Sequence, residues 1–190
     1  YPDHPVGPFL KGLNIWWEIL LDLPDTSHDE AFYRQMNEVI DRCNEILDED
    51  PDHFDAAFFK GAALGFRGRL RSNRDSWIRA AYDGKRAIGY VRDVAERAPR
   101  NNDYVFGKGM YDYYAAIIPE EYPVSKTVMW MMPDGDKERG LSLIRRAAEH
   151  GWYIQTEAAY FLTQIHYLYE NNFHKARRYV SWLRRQHPKN

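Results

Sequence analysis

The phrase PDHPVGPFLKG, from Pro2 to Gly12, returns as PDHFDAAFFKG, from Pro51 to Gly61, and more loosely as PRNNDYVFGKG, from Pro99 to Gly109. A chain that repeats itself after 49 and then 48 residues is bound to a serial architecture, in which like units shield one another. Each copy keeps Phe seven, Lys nine and Gly ten residues after Pro: Phe9, Lys11 and Gly12; Phe58, Lys60 and Gly61; Phe106, Lys108 and Gly109. On a helix, Phe and Gly three apart share a face. The glycine there admits a second helix and the phenylalanine fills the space beside it, while the lysine falls off that face and is expected in water.

A second pattern precedes each closing proline. Val39, Cys43 and Ile46 come before Pro51; Ala87, Val91 and Val94 before Pro99; Ala176, Val180 and Leu183 before Pro188. Steps of four and three make an amphipathic helix with a narrow apolar stripe, stopped where proline cannot continue it. Gly140, Ile144 and Ala147 form a fourth stripe that ends at His150-Gly151, where Gly151 is expected to take a left-handed cap. The unit is therefore an antiparallel helix pair. Its first helix (A) is predicted at about 7–22, 53–70, 102–118 and 155–170, and its second (B) at about 28–49, 74–97, 135–150 and 172–187. No strand pattern competes. The chain reads as all-α, with about eight helices in one domain of four pairs, at approximately 1–50, 51–98, 99–151 and 152–190.

These residues resemble the tetratricopeptide repeat family. In the last unit Asn171-Asn172-Phe173 supplies the turn, and Ala176, Val180, Leu183 and Pro188 stand at the family's helix-B spacing; Phe-x-x-Gly in the other units is similar to its helix-A pattern. The first two units are longer than the family's period of about 34 residues, and the last has Phe161-Leu162-Thr163-Gln164 in place of Phe-Lys-Gly. The stretch from Tyr104 to Glu149, with Gly-Asp before Gly140-Leu141, also resembles divergent members of the inclusion-body-clearance type. The resemblance implies a right-handed superhelical array, an α-solenoid. Tyr1-Pro2 stands where a B helix would end and Pro188 at another repeat boundary, so the sequence is expected to be a piece of a longer array.

Composition limits the choices. The chain is 44% hydrophobic and 28% charged, which suits a soluble packed domain, and its 15% of aromatics implies large buried contacts or an adhesive groove. Cys43 stands alone, which excludes an internal disulfide, and its place in an apolar stripe marks it as a buried structural thiol. No apolar run is long enough to span a bilayer. The net charge of −2 hides a strong asymmetry: residues 1–55 hold 3 basic and 14 acidic side chains, whereas residues 172–190 hold 6 basic and none acidic. Such ends could meet on neighbouring molecules, so self-association is a candidate.

Family resemblance implies a concave groove lined by A helices. With Phe9, Phe58, Phe106 and Phe161 set as core, the next face carries Asn14 and Trp17 in the first unit and Phe59, Phe66 and Arg67 in the second. In the third it carries Tyr104, Tyr111 and Tyr114, and in the fourth His166, Tyr169 and Glu170. Such an aromatic wall with polar tips suits an extended peptide or an amphipathic helix. The family's clamp for a C-terminal carboxylate is not expected, since only Asn14 and Arg67 sit at suitable places. In the connector from Glu120 to Asp136, Met129, Trp130 and Met131 could form a lid or docking patch, or fold back on the third pair. RGRLRSNR, from Arg67 to Arg74, reads as the basic end of a helix and its turn, so nucleic acid is not the expected partner.

Catalysis has little to stand on. His166 and Glu170 lie one helical turn apart and could share a proton or metal, but no third ligand, HExxH, phosphate loop or nucleophile elbow accompanies them. The expected function is a non-catalytic protein–protein interaction scaffold without cofactor or metal. The alternative is an enzyme or small-molecule binder with a pocket under residues 120–136.

Overall fold

The structure, a computed structural model, describes residues 4–121 and 134–189. Among these residues there are eight helices and no strand: α1 (Val6–Leu21), α2 (Asp29–Glu49), α3 (Phe54–Asn73), α4 (Trp77–Arg97), α5 (Tyr104–Glu121), α6 (Lys137–His150), α7 (Gln155–Leu168) and α8 (Phe173–Gln186). Each lies within a few residues of its predicted span. None of these helices is long and apolar enough to cross a membrane.

Side chains set the helix starts. The Nδ1 of His53 accepts a hydrogen bond from the Ala56 N–H at 3.2 Å, and its repeat equivalent His4 accepts from the Val6 N–H at 3.1 Å. Asp136 caps α6 through the Arg139 N–H, and Asn172 caps α8 through the Lys175 N–H. Each satisfies an amide that the first helical turn leaves without a partner. Asn171 holds the turn before α8 in the left-handed region, at φ 48°.

The chain forms two compact units, residues 1–94 and 95–190. In the first, Trp16 meets Phe32 at 5.7 Å and Gly12 lies against Met36, so α1 and α2 run antiparallel. The ring pairs Phe9–Phe59 (5.4 Å) and Trp16–Phe66 (5.7 Å) set α1 and α3 side by side in the same direction. Gly61 faces Tyr90 and Val91 while Gly68 faces Ala80 and Asp83, which makes α3 and α4 the second antiparallel pair. The core holds Trp16, Phe32, Met36, Phe59, Leu64 and Leu70, each almost wholly removed from water. Burial of such a side chain contributes about 1.5–3 kcal/mol, and well-placed ring pairs add about 0.5–1.5 kcal/mol.

The second unit repeats the plan. Gly109 meets Leu143 and Ile144, and Gly140 meets Tyr113, so α5 and α6 cross antiparallel at backbone contact. His166 stacks on Tyr179 and Thr156 reaches His187, which pairs α7 with α8. Phe106–Phe161 at 5.9 Å and Tyr113–Tyr169 at 6.4 Å set α5 and α7 side by side and parallel. Tyr113, Ile144, Leu162 and Ile165 form the centre of this core. Asp103, before α5, takes hydrogen bonds from three successive backbone amides, Trp152, Tyr153 and Ile154, at 2.9–3.0 Å to its Oδ1. It ties the start of α5 to the turn that opens α7.

Three local expectations are corrected. Lys60 is buried, not in water: α3 is covered on several sides, and the lysine ammonium lies over the Tyr90 ring, 4.6 Å from its centroid. Gly151 has φ −69° and ψ 157°, an extended conformation. Glycine suits it for another reason, since a Cβ there would strike the Ala147 carbonyl and come within 3.1 Å of the Asp103 carboxylate. Val180 is 40% exposed, because α8 turns Ala176 rather than Val180 into the core.

Candidate functional site

The phase set by the repeat holds at its anchor positions. Phe9, Phe58, Phe106 and Phe161 are all buried, and Gly12, Gly61 and Gly109 each abut the B helix of their own pair. The face beside them divides by unit.

In the first unit three residues expected in a groove are elsewhere. Phe59 and Phe66 are buried, because neighbouring A helices lock through aromatic rings: Phe59 takes Phe9, and Phe66 takes both Phe9 and Trp16. Arg67 is committed to an inter-helix network. Its Nε and one terminal nitrogen bind the Asp83 carboxylate at 2.9 and 2.7 Å, and its other terminal nitrogen reaches Asn37 at 2.5 Å. Arg71 adds a bond of 2.6 Å to the same carboxylate, whose side chain is 0% exposed. Arg74 holds Asp29 and the carbonyls of Leu23 and Asp25. The arginines of RGRLRSNR thus bind this chain's own helices; Arg69 lies over the Trp16 ring. Asn14 is exposed and Trp17 half-buried on α1.

In the second unit the expected residues other than His166, which is buried, lie closer to the surface. Tyr104, Tyr111 and Tyr114 of α5 and Tyr169 after α7 are all half-buried. Tyr104 and Tyr111, two turns apart, share one ridge, and Tyr114 adjoins it. Tyr114 meets Tyr113 at 5.3 Å and Tyr169 at 5.9 Å, edge to face. Behind them the frame is ionic. The Tyr113 hydroxyl donates to Glu170 at 2.6 Å, and Lys137 binds the same oxygen at 3.0 Å. Asp112 receives Arg139 in a two-pronged contact, 2.6 and 2.9 Å, and Lys108 at 3.2 Å. Burial opposes charge on Asp112, but the hydrogen bonds from Arg139 and Lys108 prevail and hold its carboxyl below the usual range. Burial also opposes charge on Glu170, where Tyr113 and Lys137 have the same overriding effect. The Tyr113 hydroxyl is pushed far up, by burial first and by Glu170 second.

His166 and Glu170 do not form a pair. The His166 ring is buried and stacked on Tyr179, 5.9 Å between centroids with 9° between planes, whereas Glu170 turns to Tyr113 and Lys137. Burial, with Lys175 nearby, pushes the His166 pKa down and favours its neutral form. Burial likewise pushes the Cys43 thiol up to about 12, which leaves it protonated and unreactive. Among the described residues, no three His, Cys, Asp or Glu side chains gather as a metal site. Met129, Trp130 and Met131 lie outside the described residues, as does the centre of the connector that carries them.

Sequence reasoning missed the acceptors. Asp83 and Asp112 look like ordinary helix-surface acids in one dimension, and their arginine partners come from facing helices. It also missed an open cleft of about 880 Å³ along α2, lined by Glu30, Tyr33, Glu38, Asp41 and Glu45 among others. Its carboxylates are spread over about four helical turns and do not converge. No family model, curated protein or solved structure matches this chain.

Proposed function

We propose that this chain is a non-catalytic interaction module of tetratricopeptide type, and that its second unit grips a peptide segment along the tyrosine ridge of α5. The observation that carries this reading is the contrast between the units. Where the first unit buries Phe59 and Phe66 and leaves only Trp17 of its expected aromatics half-buried, the second leaves Tyr104, Tyr111 and Tyr114 half-buried on a helix that is ion-paired through Asp112 to Arg139. Tyrosines held this way offer flat apolar area with a hydroxyl at the edge, at little entropic cost on binding. Three of the buried acids support a scaffold over an enzyme: Asp83 and Asp112 are held by cations, and Asp103 by backbone amides.

A random peptide library displayed on phage tests this directly. Peptides selected on the intact chain should bind a Tyr104→Ala/Tyr111→Ala variant roughly tenfold or more weakly, with the thermal midpoint little changed. Equal binding to that variant would remove the tyrosine ridge from consideration.

A further inference from the structure

His166, in the last turn of α7, is the only buried histidine among the described residues, at 6% exposure. Its ring stacks on Tyr179 of α8 with 9° between planes, so it fills the seam between these two helices. Its Nδ1 is shut from water and meets no hydrogen-bond partner among the described residues. A neutral ring tolerates this, because its proton can sit on Nε2 and leave Nδ1 a bare lone pair. An imidazolium does not, because both nitrogens then donate and the proton on Nδ1 finds no acceptor.

The charges around the ring also oppose a proton. Lys175 reaches it from α8 and Arg145 from α6, and Glu170, just past α7, is the acid that acts on it. Glu170 is already engaged by the Tyr113 hydroxyl of α5 and by Lys137 of α6. Around Tyr179 stand Arg178 of α8 and Glu149 and Arg145 of α6. The face of the Tyr179 ring attracts a cation, but burial and then Lys175 prevail and lower the His166 pKa. The same turn supports the tyrosine face of α5. Tyr169, three residues on, meets Tyr113 and Tyr114, and the Asn172 amide donates to the His166 carbonyl at 2.7 Å.

We propose that the α7–α8 seam is an acid-operated switch: a proton on His166 loosens α8 from α7 and, through Tyr169 and Glu170, takes support from the tyrosines of α5. The direction follows from linkage. An unfolded histidine takes its proton near pH 6.5, and the buried ring takes it later. The seam is therefore fully held above that pH and weakens as pH falls through it towards the lower native value. This lies above the range in which Asp112 and Glu170 give up their charge.

Nuclear magnetic resonance on the whole chain tests it. The His166 ring should titrate below about 6.5. Between pH 7 and pH 5 the amides of α7 and α8 should lose exchange protection, corrected for intrinsic rates, while α1, α2 and α3 keep theirs. His166→Phe keeps a ring against Tyr179 and carries no proton, so its α7 and α8 should not respond to this pH step. Lys175→Glu alters an exposed side chain; it should raise the His166 titration point and shrink the loss, which serves if His166→Phe folds poorly. A His166 ring that titrates at or above about 6.5 overturns the proposal. So does α7–α8 protection that holds to pH 5, or a loss that persists undiminished in either variant. Every readout is taken on the free chain, so peptide binding at the tyrosine ridge is judged separately.

Discussion

At the α5–α6 crossing, Gly109 and Gly140 bring two backbones into contact. A Cβ on Gly109 would stand 2.8 Å from the Leu143 Cβ and 3.0 Å from the Ile144 amide nitrogen; one on Gly140 would stand 2.5 Å from the Tyr113 amide nitrogen. At Gly61 the nearest atoms, 3.1 Å away, belong to the side chains of Tyr90 and Val91. Side chains can yield where backbone cannot. Gly109→Ala is therefore expected to cost about 1–3 kcal/mol in urea unfolding, and Gly61→Ala less. Equal losses would show that the two seams are equally rigid. Asp112 makes a second prediction. Its folded carboxyl is held below the unfolded range, so on acidification the unfolded chain binds the proton first. The stability given by Arg139 and Lys108 is complete near neutrality and disappears as pH falls from about 4 through the lowered native value. Asp112→Asn should then be less stable than wild type at pH 7, with the gap closing in acid; urea midpoints at both pH values would show it. Single residues were legible in the sequence where one helix face decided them, as with Phe9, Phe58, Phe106 and Phe161. They were illegible where the partner lies far along the chain: Asp103 binds amides 49–51 residues away, and nothing local distinguishes it from any residue that opens a helix.

Among the helices, α4 is the least like its neighbours. It carries Gly84 and Gly89 in its interior, and a Cβ at either would meet nothing within 4 Å. Neither glycine makes room for a partner, so each costs backbone entropy without a packing return. Gly84→Ala and Gly89→Ala should each stabilise the chain by roughly 0.5–1 kcal/mol, read as a rise in thermal midpoint. A fall would reveal a required bend or contact at that position. Element boundaries were the most legible level of the structure. Proline, apolar periodicity and a turn such as Asn171-Asn172-Phe173 are local signals, and local signals survive translation into one dimension. The lining of the groove was not legible in the same way. One phase was carried across four A helices, but α1 meets α3 with Phe9 and Trp16, which draw Phe59 and Phe66 inward, while α5 meets α7 through Phe106 and Tyr113 and leaves its other tyrosines nearer the surface. The sequence pattern of an A helix does not say how large its neighbour's side chains are.

The whole molecule comprises two units, each with its own buried core. Separate cores should fail separately. Gly140→Val, which drives two methyl groups into the α5 backbone, should strip amide hydrogen-exchange protection from α5, α6 and α7 while α1, α2 and α3 keep theirs. Loss of protection throughout would mean that the two cores open as one. The burial of Cys43 reaches further than its own helix. It is the chain's only sulfhydryl, and a disulfide reagent can reach it only when the first unit opens. The rate at which it is labelled is a clock for that opening, and any cysteine placed on the surface would be the single handle to which a dye or spin probe attaches.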